Sequence, residues 1–166
     1  MTRDEANSVV VVNGNVLGNT QYVARLIQEM TGGDIFRILP LKPYPTNHRA
    51  LVSLAGEERK RNARPAIEGT IESLEAYDTL FIGYPNWWDD MPMILYTFLE
   101  QYDFSGKTLI PFCTHGGSGF SRTIQTIRNK QPGATVIREG YALSRSRMER
   151  APSGVAAWLR KIGRKT

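Results

Sequence analysis

The sequence predicts a single α/β domain of three layers, a mostly parallel sheet covered by helices on both faces. Short apolar runs recur along the chain at Val9–Val12, Ile35–Leu39, Thr79–Gly83 and Thr108–Cys113, with a weaker fifth at Ala134–Ile137 that continues through Gly140 to Leu143. These runs are continuous rather than alternating, as in strands buried on both faces. Helix-like stretches fill the gaps between them, and the resulting βαβαβαβαβα alternation is that of a parallel sheet with crossover helices. The length of 166 residues is enough for one real core.

The helices follow in order. Asn19–Met30 carries Val23, Leu26, Ile27 and Met30 at i, i+3, i+4 and i+7, one apolar stripe, and Gly32–Gly33 ends it. Residues 47–63 hold Leu51, Leu54 and Ala55, with Glu57 four residues before Arg61. Pro92–Tyr102 is expected to be a helix with proline in its first turn and Asp89 or Asp90 as its cap. Ser121–Asn129 and Ser153–Ile162 complete the set. One domain over 1–166 is expected, with 1–8 and 164–166 frayed at the ends.

Composition narrows the function classes. Hydrophobic residues make up 41% and charged residues 22%, ordinary globular values. A single cysteine, Cys113, excludes an internal disulfide framework and any multi-cysteine metal site. No apolar run has the length of a membrane span, and the polar start Met1–Ser8 has no signal-peptide core, so a cytoplasmic protein is expected. The net charge is +5, and it is unevenly spread: residues 138–166 carry eight Arg and Lys against Glu139 and Glu149. The patch lacks interleaved aromatics and a helix-turn-helix pattern, so a nucleic-acid partner is not expected; a solvated helix face explains it more simply.

Parallel sheets bind ligands beyond the carboxyl ends of their strands. Three loops fall there. Gly14–Thr20 runs into a helix whose first amides, with Gly18, Asn19 and Thr20, suit a phosphate, although the same residues also make an ordinary helix cap. It has no G-x-G-x-x-G pattern. Gly83–Pro92 contains the pair Trp87–Trp88, whose indole faces could stack on a planar ring or simply fill the core. Asp89 and Asp90 find no converging ligands in the sequence, so no metal site is expected. Thr114–Phe120 has glycines at 116, 117 and 119, which bring backbone amides close to a ligand, beside His115. Cys113 reads as a small buried hydrophobe.

One anion loop, one tryptophan loop and one glycine-rich loop at one sheet edge suit a flavin mononucleotide. On Gly18-Asn-Thr20, Pro40–Tyr44, Tyr77–Trp88, Thr97–Thr114 with its Phe-Ser-Gly-Lys, and Gly116-Gly-Ser-Gly119, the chain resembles the flavodoxin-like family, in particular its short bacterial members, over residues 9–163. The resemblance implies a five-stranded parallel sheet of order 2-1-3-4-5, with FMN at the point where the strand order reverses; flavodoxin is itself the standard illustration of that rule. It also implies that Asn15, Val16, Leu17, Gly18, Asn19 and Thr20 hold the phosphate. Pro85, Asn86, Trp87 and Trp88 would line one side of the isoalloxazine, and Thr114, His115, Gly116 and Gly117 the other. The family's phosphate loop has hydroxyl residues at the positions of Asn15 and Leu17. Leu17 would then omit one charge-assisted bond, weakening FMN by roughly one to two decades.

The function implied is an FMN-binding redox protein, an electron carrier or a small reductase of quinones or other small acceptors. No catalytic residue is singled out, the electron donor and acceptor stay open, and a homodimer is compatible with the sequence. The loops contain no Lys or Arg, so the sequence predicts no cation beside the flavin to favour its anionic reduced form. Two alternatives stand beside this reading: a module of the same fold that has lost FMN, and a regulatory protein using the basic end.

Overall fold

The two strands that carry the site sit side by side because each is apolar on both faces. In the computed structural model, which describes residues 9–164, β3 (Thr79–Pro85) and β4 (Thr108–His115) pair in parallel from Thr79 opposite Thr108 to Pro85 opposite Thr114. Alternate β4 side chains enter two separate cores. Ile110 and Phe112 join Val23, Leu26 and Ile27 of α1 (Asn19–Thr31) and Val155, Trp158 and Leu159 of α5 (Ala151–Lys161). Leu109 and Cys113 join Ile82, Tyr84, and Ile94, Leu95, Phe98 and Leu99 of α3 (Met93–Gln101), with Ile127 of α4 (Thr123–Lys130). Burial on both faces explains why these runs are continuous.

Among the described residues the sheet has four strands. β4 also pairs in parallel with β5 (Thr135–Val136) through Thr108 and Leu109, and with β6 (Tyr141–Ser144) from Phe112 to His115. The ladder on that side breaks opposite Ile110 and Pro111, where proline has no N–H to give. Gly140 fills the gap: a Cβ there would lie 2.5 Å from the Pro111 carbonyl oxygen and the same from the Phe120 ring. The fifth apolar run is therefore two short strands, and a 3₁₀ segment, Arg145–Arg150, leads from β6 into α5.

The five-stranded order 2-1-3-4-5 is not what the described residues form. β1 (Val9–Val12) pairs antiparallel with β2 (Asn15–Gly18) in a separate two-stranded hairpin, Val12 opposite Asn15. Its turn is Asn13–Gly14, both with positive φ, 49° and 79°. Asn-Gly is the preferred dipeptide of the two-residue hairpin turn, because both residues tolerate the left-handed region. The run at 35–39 forms no strand; Ile35, Phe36 and Leu39 are exposed, and the neighbouring Pro40 makes an isolated bridge to Ile67.

The helices match their periodicity closely. α2 (His48–Lys60) is capped by the Asn47 side chain, which accepts from the Ala50 N–H. α3 starts from Pro92, with no side-chain cap, so neither Asp89 nor Asp90 caps it. The Phe-Ser-Gly-Lys turn buries Phe104 completely, and the Lys107 ammonium donates to the Leu74 and Tyr77 carbonyls, tying down the irregular stretch before β3. At the other end Arg164 donates its backbone N–H to the Leu159 carbonyl. Residues 1–8 and 165–166, expected to fray, lie outside the described residues.

Gly83 is the tightest point of the sheet. A Cβ there would lie 2.0 Å from the Phe112 ring of the neighbouring strand. Gly83→Ala must displace a ring that is 4% exposed. Overpacking of this kind costs about 1–3 kcal/mol. The expected result is a melting temperature lower by roughly 3–10 °C in a thermal scan, and Gly83→Ala combined with Phe112→Leu should recover part of it.

Candidate functional site at the carboxyl edge of the sheet

Thr114, the penultimate residue of β4, joins the three loops. Its hydroxyl shares a 2.7 Å hydrogen bond with the Thr20 hydroxyl in the first turn of α1, and its carbonyl accepts the Asn86 N–H at 2.8 Å. Thr114 is 4% exposed, so these bonds are made in a nearly dry place. Asn86 then ties the second loop to the third, its amide donating to the Gly119 carbonyl and the Ser121 hydroxyl at 2.8 and 2.9 Å. The third loop is also held from below: the buried Tyr84 hydroxyl bonds the Thr123 hydroxyl, which donates to the Phe120 carbonyl. Burial pushes the Tyr84 phenol far above its ordinary pKa, so it remains a neutral donor.

The first loop presents donors. Gly18 is the N-cap of α1, and its N–H is taken by the Gln21 side chain. The following first-turn amides have no intrahelical partners and sit at the positive end of the helix dipole. Two hydroxyls share one bond between Thr20 and Thr114, which leaves one of the two protons for a ligand. Asn19 is 6% exposed, and its Oδ1 is a buried acceptor with no partner among the described residues. Asn15 and Val16 are exposed on β2, while Leu17 is 7% exposed and turned into the interior. Its side chain therefore does not take the place of a phosphate-facing hydroxyl, and what this position offers a ligand here is backbone.

The second loop is a strained hairpin. Trp87 and Asp90 exchange backbone bonds across Trp88 and Asp89, which have φ of 56° and 60°. Left-handed non-glycine residues cost on the order of 1–3 kcal/mol each and persist only where the surroundings hold them. Here the Trp88 Nε1–H donates to the Val52 carbonyl of α2, and its ring lies against Gly56. Trp88 is still 51% exposed. Trp87 packs edge-on to Tyr44 at 5.5 Å, and the Tyr44 hydroxyl donates to the buried Glu58. Asp90 accepts from the Met91 N–H and from the Tyr96 hydroxyl. The Tyr96 ring lies beneath Arg64 and Lys130, both bonded to Glu100 at 2.8 Å.

In the third loop the His115 Nδ1 accepts the Gly117 N–H at 3.0 Å, which leaves the proton on Nε2. Burial lowers its pKa, so the ring is neutral at neutral pH and Nε2–H is free to donate. Cys113 is buried and its thiol is pushed up to about 12, which removes it as a nucleophile. Arg145, the residue after β6, reaches this loop: its guanidinium carbon lies 3.5 Å from where a Cβ of Gly116 would be. Sequence reasoning placed no cation here, because Arg145 lies far along the chain and only the parallel pairing of β6 with β4 brings it in. Among the described residues no cluster of three or more His, Cys, Asp or Glu could hold a metal ion, and no helix is long and apolar enough to cross a membrane.

Residues 8–162 match the family model described as Flavodoxin. The chain belongs to the flavodoxin family. Flavodoxin 1 of Escherichia coli strain K12 is 27% identical over 142 residues, covering 75% of this chain and 62% of that protein. The chain thus spans less than two thirds of the length of such curated relatives. A crystal structure of a proposed flavoprotein from Bacteroides eggerthii superposes with a TM-score of 0.71 at 32% identity, covering 90% of this chain and 93% of that one. The fold is shared with a Lactobacillus acidophilus flavoprotein in complex with FMN, at a TM-score of 0.60 and 20% identity over 79% and 89% of the two chains.

The Glu100 network gives a pH test of how the second loop is held. Bonds from Arg64 and Lys130 lower the Glu100 carboxyl to about 2. A carboxylate whose folded pKa is depressed contributes stability above its unfolded pKa and loses it as pH falls toward the folded one. The melting temperature should therefore fall between about pH 4.5 and 2. Glu100→Gln should flatten that limb, and because the group is partly exposed, high salt should shrink the difference.

Proposed function

We propose that this chain binds FMN and works as a redox protein, with the phosphate at the N-terminus of α1 and the isoalloxazine between the second and third loops. The observation that carries this reading is the convergence on Thr114 of all three loops at the carboxyl edge of a parallel sheet. The polar groups fit the cofactor: unpaired first-turn amides and an uncommitted hydroxyl proton suit a phosphate, and the partnerless Asn19 Oδ1 can accept from a ribityl hydroxyl beside it. Bound FMN supplies one- and two-electron chemistry; the protein supplies orientation and electrostatics. Asn86 and Thr114 fix the spacing of the loops, Trp87 and Trp88 offer apolar surface, and the neutral His115 Nε2–H can donate to a polar edge. Flavodoxin-type carriers are typically acidic, so the net charge of +5 favours a small-acceptor reductase over a protein-to-protein carrier. The single buried Cys113 suits a reducing cytoplasm.

Spectroscopy tests this directly. FMN added to the protein should bind with a changed visible spectrum and quench tryptophan fluorescence, and phosphate should compete. Trp87→Ala should weaken FMN by about 1 kcal/mol. No binding by either signal sinks the reading and leaves the alternative of a flavodoxin fold without flavin.

The same reading includes the five-stranded order 2-1-3-4-5 for the flavin-loaded chain. Val11, Val16, Ile35, Phe36 and Leu39 are all exposed, and all lie in or beside segments read as the first two strands. Placing Val9–Val12 beside the edge strand β3, with 35–39 beyond it, would cover this apolar surface and release Asn15, Val16 and Leu17 from the hairpin to wrap a phosphate. Hydrogen exchange checks it. On FMN addition the amides of residues 9–12 and 35–39 should gain protection; unchanged protection in both segments would leave the hairpin as the working form.

A further inference from the structure

Arg145 is a cation without a carboxylate. It is exposed, and among the described residues its side chain makes no hydrogen bond or ion pair. Its guanidinium lies over the third loop, with Nε and Nη1 at 3.6 and 3.7 Å from the Cβ position of Gly116. The loop from Thr114 to Phe120 contains no acidic residue. Arg147, on the same 3₁₀ segment, is exposed and likewise unpaired, while Glu149 pairs with Arg150 and Glu139 with Lys161. Of the acidic residues in the second loop, Asp90 is committed to Met91 and Tyr96, which leaves only the exposed Asp89. The rim of the third loop is therefore positive.

We propose that Arg145 makes this rim a subsite for a carboxylate-bearing or similarly anionic small molecule, the electron acceptor that meets the flavin. The planar guanidinium takes a carboxylate through two parallel bonds, a geometry an ammonium cannot copy. Charge at the rim also raises the encounter rate of anions and lowers that of cations. The redox part rests on the FMN reading; the anion subsite does not.

Two measurements separate them. In isotope-labelled protein without flavin, benzoate should shift the Gly116 and Gly117 amide resonances saturably. Arg145→Gln should weaken that binding about tenfold or more, and Arg145→Lys should restore only part of it. In the FMN-loaded protein, reduced by dithionite with the excess removed, each flavin gives two electrons, one to each of two hexacyanoferrate(III) ions, which become hexacyanoferrate(II) while the flavin's protons pass to water. That oxidation should slow several-fold in Arg145→Gln and with added salt, while oxidation by the cation hexaammineruthenium(III) should speed up. Equal benzoate affinity in wild type and Arg145→Gln overturns the subsite. Displacement of benzoate by FMN assigns Arg145 to the cofactor and overturns its role toward the acceptor. Saturable benzoate shifts in a protein that takes up no FMN keep the subsite and overturn only the flavin reading.

Discussion

The arrangement at the sheet edge depends on one residue being unable to move. Thr114 is fixed by its β4 backbone between β3 and β6, and its side chain is nearly sealed from water. A buried hydroxyl without a partner costs about 1–3 kcal/mol, so the Thr20–Thr114 bond is enforced by the penalty of breaking it rather than by its net strength. That bond sets where α1 begins relative to β4. The Asn86 N–H on the Thr114 carbonyl sets where the second loop leaves β3. Two bonds to one strand residue thus fix three chain segments that are far apart in sequence.

Strain is concentrated beside this rigid point. Trp88 and Asp89 adopt left-handed backbone although neither is glycine. The compensation is spread over separate elements: Val52 of α2 accepts the Trp88 indole, and Tyr96 of α3 donates to Asp90. Arg64, Lys130 and Glu100 then brace Tyr96. Each bond is worth about 0.5–1.5 kcal/mol, so several are needed to balance two strained residues. The Trp88 ring is thereby kept on the surface instead of collapsing into the core, which is unusual for so large an apolar group. A binding loop benefits from that, because apolar surface held out to solvent is available to a flat ligand without further rearrangement.

What the sequence discloses tracks how local the cause is. β3, β4 and all five helices were legible because continuous apolar runs and 3.6-residue stripes report burial directly, as at Ile110–Phe112 and Val23–Ile27. The hairpin is also written locally, in Asn13–Gly14, whereas the apolar Val9–Val12 run on its own points to a central strand. At 35–39 apolar content does not report pairing: Ile35, Phe36 and Leu39 are exposed, and the bridge from Pro40 to Ile67 stands beside the segment in place of a strand. Aspartate before a helix usually caps it, yet neither Asp89 nor Asp90 does so here, and the partners of Asp90 are the Met91 amide and the Tyr96 hydroxyl. The loops were found from their glycines and tryptophans; the contact between Arg145 and Gly116 could not be, since it exists only through strand pairing across the sheet.

The basic C-terminal region gains meaning from the same topology. On a helix face, its charges would be neutralised cheaply or left in water. Its visible ion pairs are exposed, Lys161 with Glu139 at 3.6 Å and Arg150 with Glu149 at 3.8 Å, and such pairs contribute little. They still matter by subtraction, since they use up the only two carboxylates in residues 138–166. The remaining positive charge is then unevenly placed. β6 runs parallel to β4, so its carboxyl end, and the arginines that follow it, must emerge on the edge where Thr114 and the glycine loop lie. A reversed strand would have sent Arg145 and Arg147 to the opposite end of the molecule. The positive rim is therefore a consequence of strand direction: the rule that gathers ligand-binding loops at the carboxyl edge of a parallel sheet delivers the charge to the same place.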